Sequence, residues 1–185
     1  VFYGLGRITS GPFFMDSPYY DQDIKPYPFS VDTAKKLLDE AGWKDTDNDG
    51  ILDKDGKKFE FTILSVTSSE IQQRMLPIIK EDMGKAGIVM NIVPVEWSVY
   101  VQRLEQKSFE VCTLGWAMGF ENDPYQLWHS KEADQPASSN HISFRNKEAD
   151  RLIEEIRVCF DLEKRIALCH EFHKLLHEEQ PYTFL

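Results

Sequence analysis

Residues 59–95, FEFTILSVTSSEIQQRMLPIIKEDMGKAGIVMNIVPV, decide the fold. Phe59 to Val66 is a short run of apolar and β-branched residues with the character of a strand. From about Ser69 to Ala86, Ile71, Met75, Ile78, Ile79 and Met83 recur at helical spacing and predict one apolar side. Gly87 stops that helix, and Ile88 to Val95 supplies a second strand. A shorter helix over about Ser98 to Gln106, with Val101 and Leu104 inward, then delivers a third strand at Glu110 to Leu114. Strand, helix, strand, helix, strand at this spacing predicts parallel crossovers and a mixed α/β lobe whose mostly parallel sheet is flanked by helices.

Upstream, residues 1–31 are rich in Gly, Pro, Tyr and Asp, and Pro12, Pro18, Pro26 and Pro28 exclude long helices. They predict an irregular arm that packs by its aromatics. Ser30 or Asp32 can cap a helix with Ala34, Leu37, Leu38 and Ala41 on one face, which Gly42 ends. A hairpin is expected between Ile51-Leu52 and Phe59 to Leu64, turning at Lys54-Asp55-Gly56. Downstream, Asn146 or its neighbour starts a helix with Ala149, Leu152, Ile153 and Ile156 on one face. Asp161 caps a longer one carrying Ile166, Cys169, Phe172, Leu175 and Leu176.

The third strand runs into FEVCTLGWAMGFENDPYQLW, residues 109–128. A strand that ends in Gly115-Trp116 aims the following loop at the carboxyl edge of a sheet, where open α/β folds bind ligands. Trp116, Ala117, Met118, Gly119, Phe120 and Glu121 are therefore the candidate ligand-binding residues. Trp128, after the loop, could be a third aromatic wall or a core residue. His129 and His141 lie near the segment as further ligand candidates, whereas Trp43 and Trp97 fit structural roles.

Composition excludes several other functions. The 185 residues carry a formal net charge of -10, which opposes nucleic-acid phosphate and anionic lipid alike. No apolar run reaches the roughly 18 to 20 residues that a membrane helix needs. Cys112, Cys159 and Cys169 have no metal-ligand or paired spacing, and Cys112 and Cys169 fit buried free thiols. No nucleophile elbow or phosphate loop is present, and Glu121 and Asp123 fit solvated or turn-initiating acids better than a catalytic pair. No catalytic residue and no cofactor is expected. Asp45, Asp47, Asp49, Gly50 and Asp53 match the first part of a calcium loop, but its twelfth position is Gly56, where a bidentate Glu is required. The same loop makes a calcium-dependent structural or interaction module the alternative function. His170, His173 and His177 share one side of the last helix and fit boundary residues beside its apolar stripe.

The segment Asp32-Thr33-Ala34-Lys35-Lys36-Leu37-Leu38 to Ala41-Gly42-Trp43 resembles a signature helix of the extracellular solute-binding proteins of peptide/nickel-type ABC importers, family 5. Asp47 to Gly50-Ile51, Gly87-Ile88, Val95-Glu96-Trp97, Gly115-Trp116, Asp123-Pro124-Tyr125, Asn146 to Leu152, Arg165 and Pro181-Tyr182 resemble its later signatures in order. The resemblance implies a periplasmic-binding-protein-like, type II lobe. Residues 1–31 would lead in from a missing N-terminal lobe of the same polypeptide, and residues 32–185 would form the C-terminal lobe. Val1 without a start Met and the stop at Leu185 agree with a piece of a longer chain. The resemblance also implies a periplasmic or cell-surface home, a peptide or small-molecule solute captured between lobes, and a membrane permease as partner. In peptide-binding members, an Asp that pairs with the ligand α-ammonium stands where this chain has Gly119. That leaves two options: a solute other than a plain peptide amine, or charge supplied by Glu121.

Overall fold

The computed structural model describes Gly4 and residues 6–185, so the start of the expected arm, Val1–Tyr3 and Leu5, lies outside them. The described residues form two compact units. One comprises Pro28–Leu104 and Ser108–Leu114; the other comprises the arm through Tyr27, Glu105–Lys107 and Gly115–Leu185.

In the first unit, α1 (Val31–Glu40) starts where the Ser30 hydroxyl accepts the Thr33 amide proton. Ala34 and Leu38 are half-buried, but Leu37 is 58% exposed, so the expected apolar face is only partly covered. The hairpin is smaller than its sequence suggests. β1 (Asp53–Lys54) pairs antiparallel with β2 (Lys57–Lys58), and Asp55 and Gly56 turn the chain with φ of 52° and 74°. Two consecutive left-handed residues match the twist of a two-residue hairpin.

β3 (Glu60–Val66) and β4 (Val89–Val95) form the expected parallel pair, in register from Glu60 opposite Val89 to Val66 opposite Val95. α2 (Glu70–Lys85), capped by Ser69, connects them. Because side chains alternate along a strand, β3 serves two cores. Ile63 packs with Leu76 and Met90, whereas Leu64 and Val66 pack with Tyr100 and Leu104 of α3 (Trp97–Glu105). The α2 face is rotated from expectation. Leu76 is its buried centre, while Ile71 and Ile78 are exposed. Trp97 is likewise exposed, stacked on Tyr100.

The third strand expected at Glu110 to Leu114 is reduced to one parallel bridge between Val111 and Ile63. Side chains intercept the hydrogen bonds that would extend it. The Glu110 carboxylate accepts the Thr62 amide proton at 2.7 Å. The Gln72 side-chain carbonyl accepts that of Val66 at 2.5 Å. Thr113 turns its amide and carbonyl to the Tyr100 hydroxyl. The Thr62, Val66 and Thr113 amides are thus paired with side chains and not with a ladder.

In the second unit, a short α4 (Tyr125–Trp128) and a single 3-10 turn (Ser130–Glu132) precede α5 (Lys147–Val158) and α6 (Leu162–Glu179). Asn146 and Asp161 cap the two long helices through their side chains. Ala149, Leu152, Ile153, Ile156, Cys169, Phe172 and Leu176 form the core as the periodicity predicts, joined by Trp128 and by Phe13, Tyr19 and Tyr20 of the arm.

The arm is fastened to α6 by histidines. His173 is fully buried, which corrects its boundary assignment. Its Nδ1 accepts the Asp21 amide proton at 3.1 Å, so Nε2 carries the ring proton and donates to Ser10 Oγ at 3.0 Å. Ser10 Oγ donates to the Ile24 carbonyl, and the Tyr20 hydroxyl completes the set with Ser10. His170 donates to the Pro18 carbonyl and His177 to that of Ser10, with the His177 ring stacked on Tyr27. Gly11 lies so close that a Cβ there would stand 2.1 Å from His173 Cδ2.

Candidate functional site

Residues 115–124 form an irregular loop between the Val111 bridge and α4. Two of its aromatics project from it. Trp116 is 38% exposed and stacks against His141, with ring centroids 6.0 Å apart and planes at 13°. Phe120 is 58% exposed. Ala117 and Gly119 are exposed between them, and Met118 is half-buried with its sulfur accepting from Asn122 Nδ2. The loop thus presents two rigid apolar plates with exposed backbone between them, a composition common in small-molecule sites.

Trp128 is different. It is 1% exposed, lies edge-on to Phe144 and contacts Tyr182, so it is a core residue and not a third wall. His129 is also corrected from ligand candidate to scaffold. Buried and stacked on Tyr125, it accepts the Lys131 amide proton at Nδ1 and turns Nε2 to Glu154 at 3.2 Å. It caps the 3-10 turn that follows.

The loop carboxylates are both tied to helices. Glu121 Oε1 accepts the Tyr19 hydroxyl proton at 3.1 Å, and Oε2 lies 3.9 Å from Arg165 Nη1 on α6. The Arg165 guanidinium also covers the Tyr19 ring at 5.4 Å. Burial, together with the hydrogen bond to Glu121, raises the Tyr19 pKa and keeps this phenol protonated as a donor. Asp123 repeats the pattern. Its Oδ1 accepts the Tyr125 amide proton, opening α4 as an Asp before Pro does. Its Oδ2 lies 3.1 Å from Arg157 Nε of α5, and that guanidinium covers the Tyr125 ring at 4.4 Å. A depression of about 540 Å³ beside this pair is lined by Asn122, Asp123, Tyr125, Gln126, Glu132 and Arg157. Nothing local in the sequence places Tyr19, Arg157 or Arg165 against the loop, and Arg165 is marked only as part of the family resemblance: each reaches the loop only through the fold.

The acidic turn gathers three of its four candidates. Carboxylate oxygens of Asp45, Asp47 and Asp49 lie within 4.8 Å of one another. Asp53 is not among them, because its oxygens accept the Thr46 amide and hydroxyl protons. The Lys58 ammonium sits against Asp47 and Asp49. Burial pushes the Cys169 thiol pKa up to about 12 and raises that of Cys112, so both are poor nucleophiles. Among the described residues, no helix is long and apolar enough to cross a membrane.

Comparison with known proteins places these features in a lineage. Residues 1–137 match the family model "Bacterial extracellular solute-binding proteins, family 5 Middle". The oligopeptide-binding protein AppA of Bacillus subtilis is 33% identical over 183 residues, which is 98% of this chain and 33% of that protein. The solved structure of AppA with a nonapeptide superposes with a TM-score of 0.89 at 32% identity, covering 97% of this chain and 36% of that one. The oligopeptide-binding protein of Thermus thermophilus, solved with a pentapeptide, gives a TM-score of 0.86 at 25% identity, covering 100% and 34%. The fold is therefore that of type II periplasmic binding proteins. The chain spans about a third of the length of the curated relatives it matches.

Proposed function

The chain belongs to the bacterial extracellular solute-binding proteins of family 5, and from that premise we propose that it builds part of the ligand cleft of an ABC-importer receptor. Its solute is a peptide or another small molecule, held between this lobe and one supplied by the rest of the polypeptide. Residues 1–31 lead in from that other lobe and residues 32–185 form this one. The receptor works in the periplasm or at the cell surface and passes its solute to a membrane permease after hinge closure. Capture involves no chemistry.

The observation that carries this reading is the loop with Trp116 and Phe120 uncovered while its neighbours Trp128 and His129 are locked in the core. An aromatic left half-exposed beside a well-packed core is available to a ligand, and Trp is the residue most enriched among binding hot spots. The peptides held by AppA and by the Thermus protein support a peptide-sized solute. In the complete receptor, Trp116→Ala should weaken capture from a mixed peptide library by about thirtyfold, the equilibrium equivalent of losing a hot spot. Unchanged affinity by calorimetry, with the fold intact, would remove the loop from the site.

A further inference from the structure

The two carboxylates of the loop share an arrangement that the capture reading does not use. Each faces an Arg from a long helix, and each Arg lies over a Tyr ring. Glu121 faces Arg165 over Tyr19, and Asp123 faces Arg157 over Tyr125. Glu121 also receives the Tyr19 hydroxyl, which takes up part of its acceptor capacity. The guanidinium groups come from different helices, α6 and α5, so the pattern is not one local ion pair seen twice. Arg165 lies over the Tyr19 ring with Nη1 turned toward Glu121 at 3.9 Å.

Residues 115–124 hold two negative charges and no positive one, and taken alone would attract a cation. With Arg165 and Arg157 against them, the two loop carboxylates form two charge-matched pairs. A ligand ammonium moving from water to such a wall loses hydration without meeting a net opposite charge, whereas an uncharged amide or hydroxyl loses far less.

Resting on the reading of this loop as the ligand wall, we propose that Arg165 and Arg157 are specificity-determining positioning residues. By matching Glu121 and Asp123, they set the wall for solutes that present an uncharged hydrogen-bonding group, such as a capped terminus, an internal amide or a hydroxyl. A bare ammonium is not selected. Removing either Arg would expose its carboxylate and convert the wall into an ammonium site.

The test uses the complete receptor and a lysine-free synthetic peptide library in two forms, with free and with acetylated amino termini. Calorimetry and competition give the ratio of their affinities. The wild type should hold the two forms within about threefold of each other. Arg165→Gln should move the ratio toward the free amine by about tenfold, and Arg157→Gln in the same direction by less. Arg165→Lys should restore the wild-type ratio, and Glu121→Gln should move it toward the acetylated form. A mere packing role for Arg165 would weaken both forms together and leave the ratio alone. Circular dichroism checks each fold; if Arg165→Gln does not fold, Arg157→Gln and Glu121→Gln decide the matter. A wild-type preference for the free amine above about tenfold, or folded Arg variants with an unchanged ratio, overturns the proposal. Capture of neither form overturns instead the reading of the chain as a peptide-class receptor, and the proposal with it.

Discussion

The arm of residues 6–27 and the loop of residues 115–124 belong to the same unit, and both lack regular secondary structure, yet they are held in opposite ways. The arm is sealed by a buried polar network in which Ser10, Tyr20, Asp21 and His173 satisfy one another. The loop is anchored through exposed ion pairs at Glu121 and Asp123, leaving Trp116 and Phe120 in solvent. Buried polar groups are costly to leave unpaired, so such a network fixes a segment firmly. Surface ion pairs contribute little stability and can be altered without collapse. An irregular segment built in the first way is scaffold; in the second way it remains available for recognition.

That contrast predicts where substitution hurts. In the arm network, Gly11→Ala should be the most damaging change, because its Cβ would meet the pinned His173 ring at 2.1 Å. Overpacking of this kind costs roughly 1–3 kcal/mol or more. A loss below about 0.5 kcal/mol in urea titration would mean the ring is free to move.

The pH response should follow the same network. Burial lowers the His173 pKa from 6.5 to about 4, against the opposing influence of Asp21 and with His170 and His177 acting in the same direction as burial. Its Nδ1 already accepts the Asp21 amide proton, so a second ring proton would face a donor. The folded chain therefore keeps this ring neutral while the unfolded chain takes up a proton near pH 6.5. Stability from this group is whole above that pH and drains away as pH falls toward about 4, by a total of about 3 kcal/mol. His173→Gln should flatten that slope while lowering stability throughout. An unchanged slope in denaturation at pH 7, 6 and 5 would assign the effect elsewhere.

The loop should answer with much smaller stability changes. Arg157→Ala should cost at most about 1 kcal/mol, since it removes one half-exposed ion pair. A larger loss in urea titration would mean that the Tyr125 contact is structural. The smallest effect is expected at the acidic turn, where the Lys58 ammonium already opposes Asp47 and Asp49. Millimolar calcium should move the Tm by no more than about 2 °C relative to chelator. A rise of about 10 °C would instead favour the calcium-dependent module.

Much of the framework was legible because it follows local rules. The caps at Ser30, Asn146 and Asp161 and the apolar faces of α5 and α6 lie within a few residues of what they organise. The pairing of β3 with β4 follows from two apolar runs either side of one helix. The third strand misled because its residues do look like a strand. Its failure depends, beyond the Glu110 carboxylate itself, on Gln72 and Tyr100, which no pattern around Glu110 to Leu114 contains. The same distance hid the meaning of His173, whose partner Ser10 lies 163 positions away. Trp116 and Trp128 are the same residue type at two points of one segment, and only packing distinguishes the exposed plate from the buried core.

The sequence by itself determined the α/β framework and the family, since periodicity, caps and ordered short motifs act over a few residues. Only the tertiary structure decided which loop residues face solvent, that Val111 makes a bridge instead of a strand, and that Arg157 and Arg165 stand against the loop acids. Those outcomes rest on burial and on charges brought together from distant parts of the chain, and both exist only once the chain has folded.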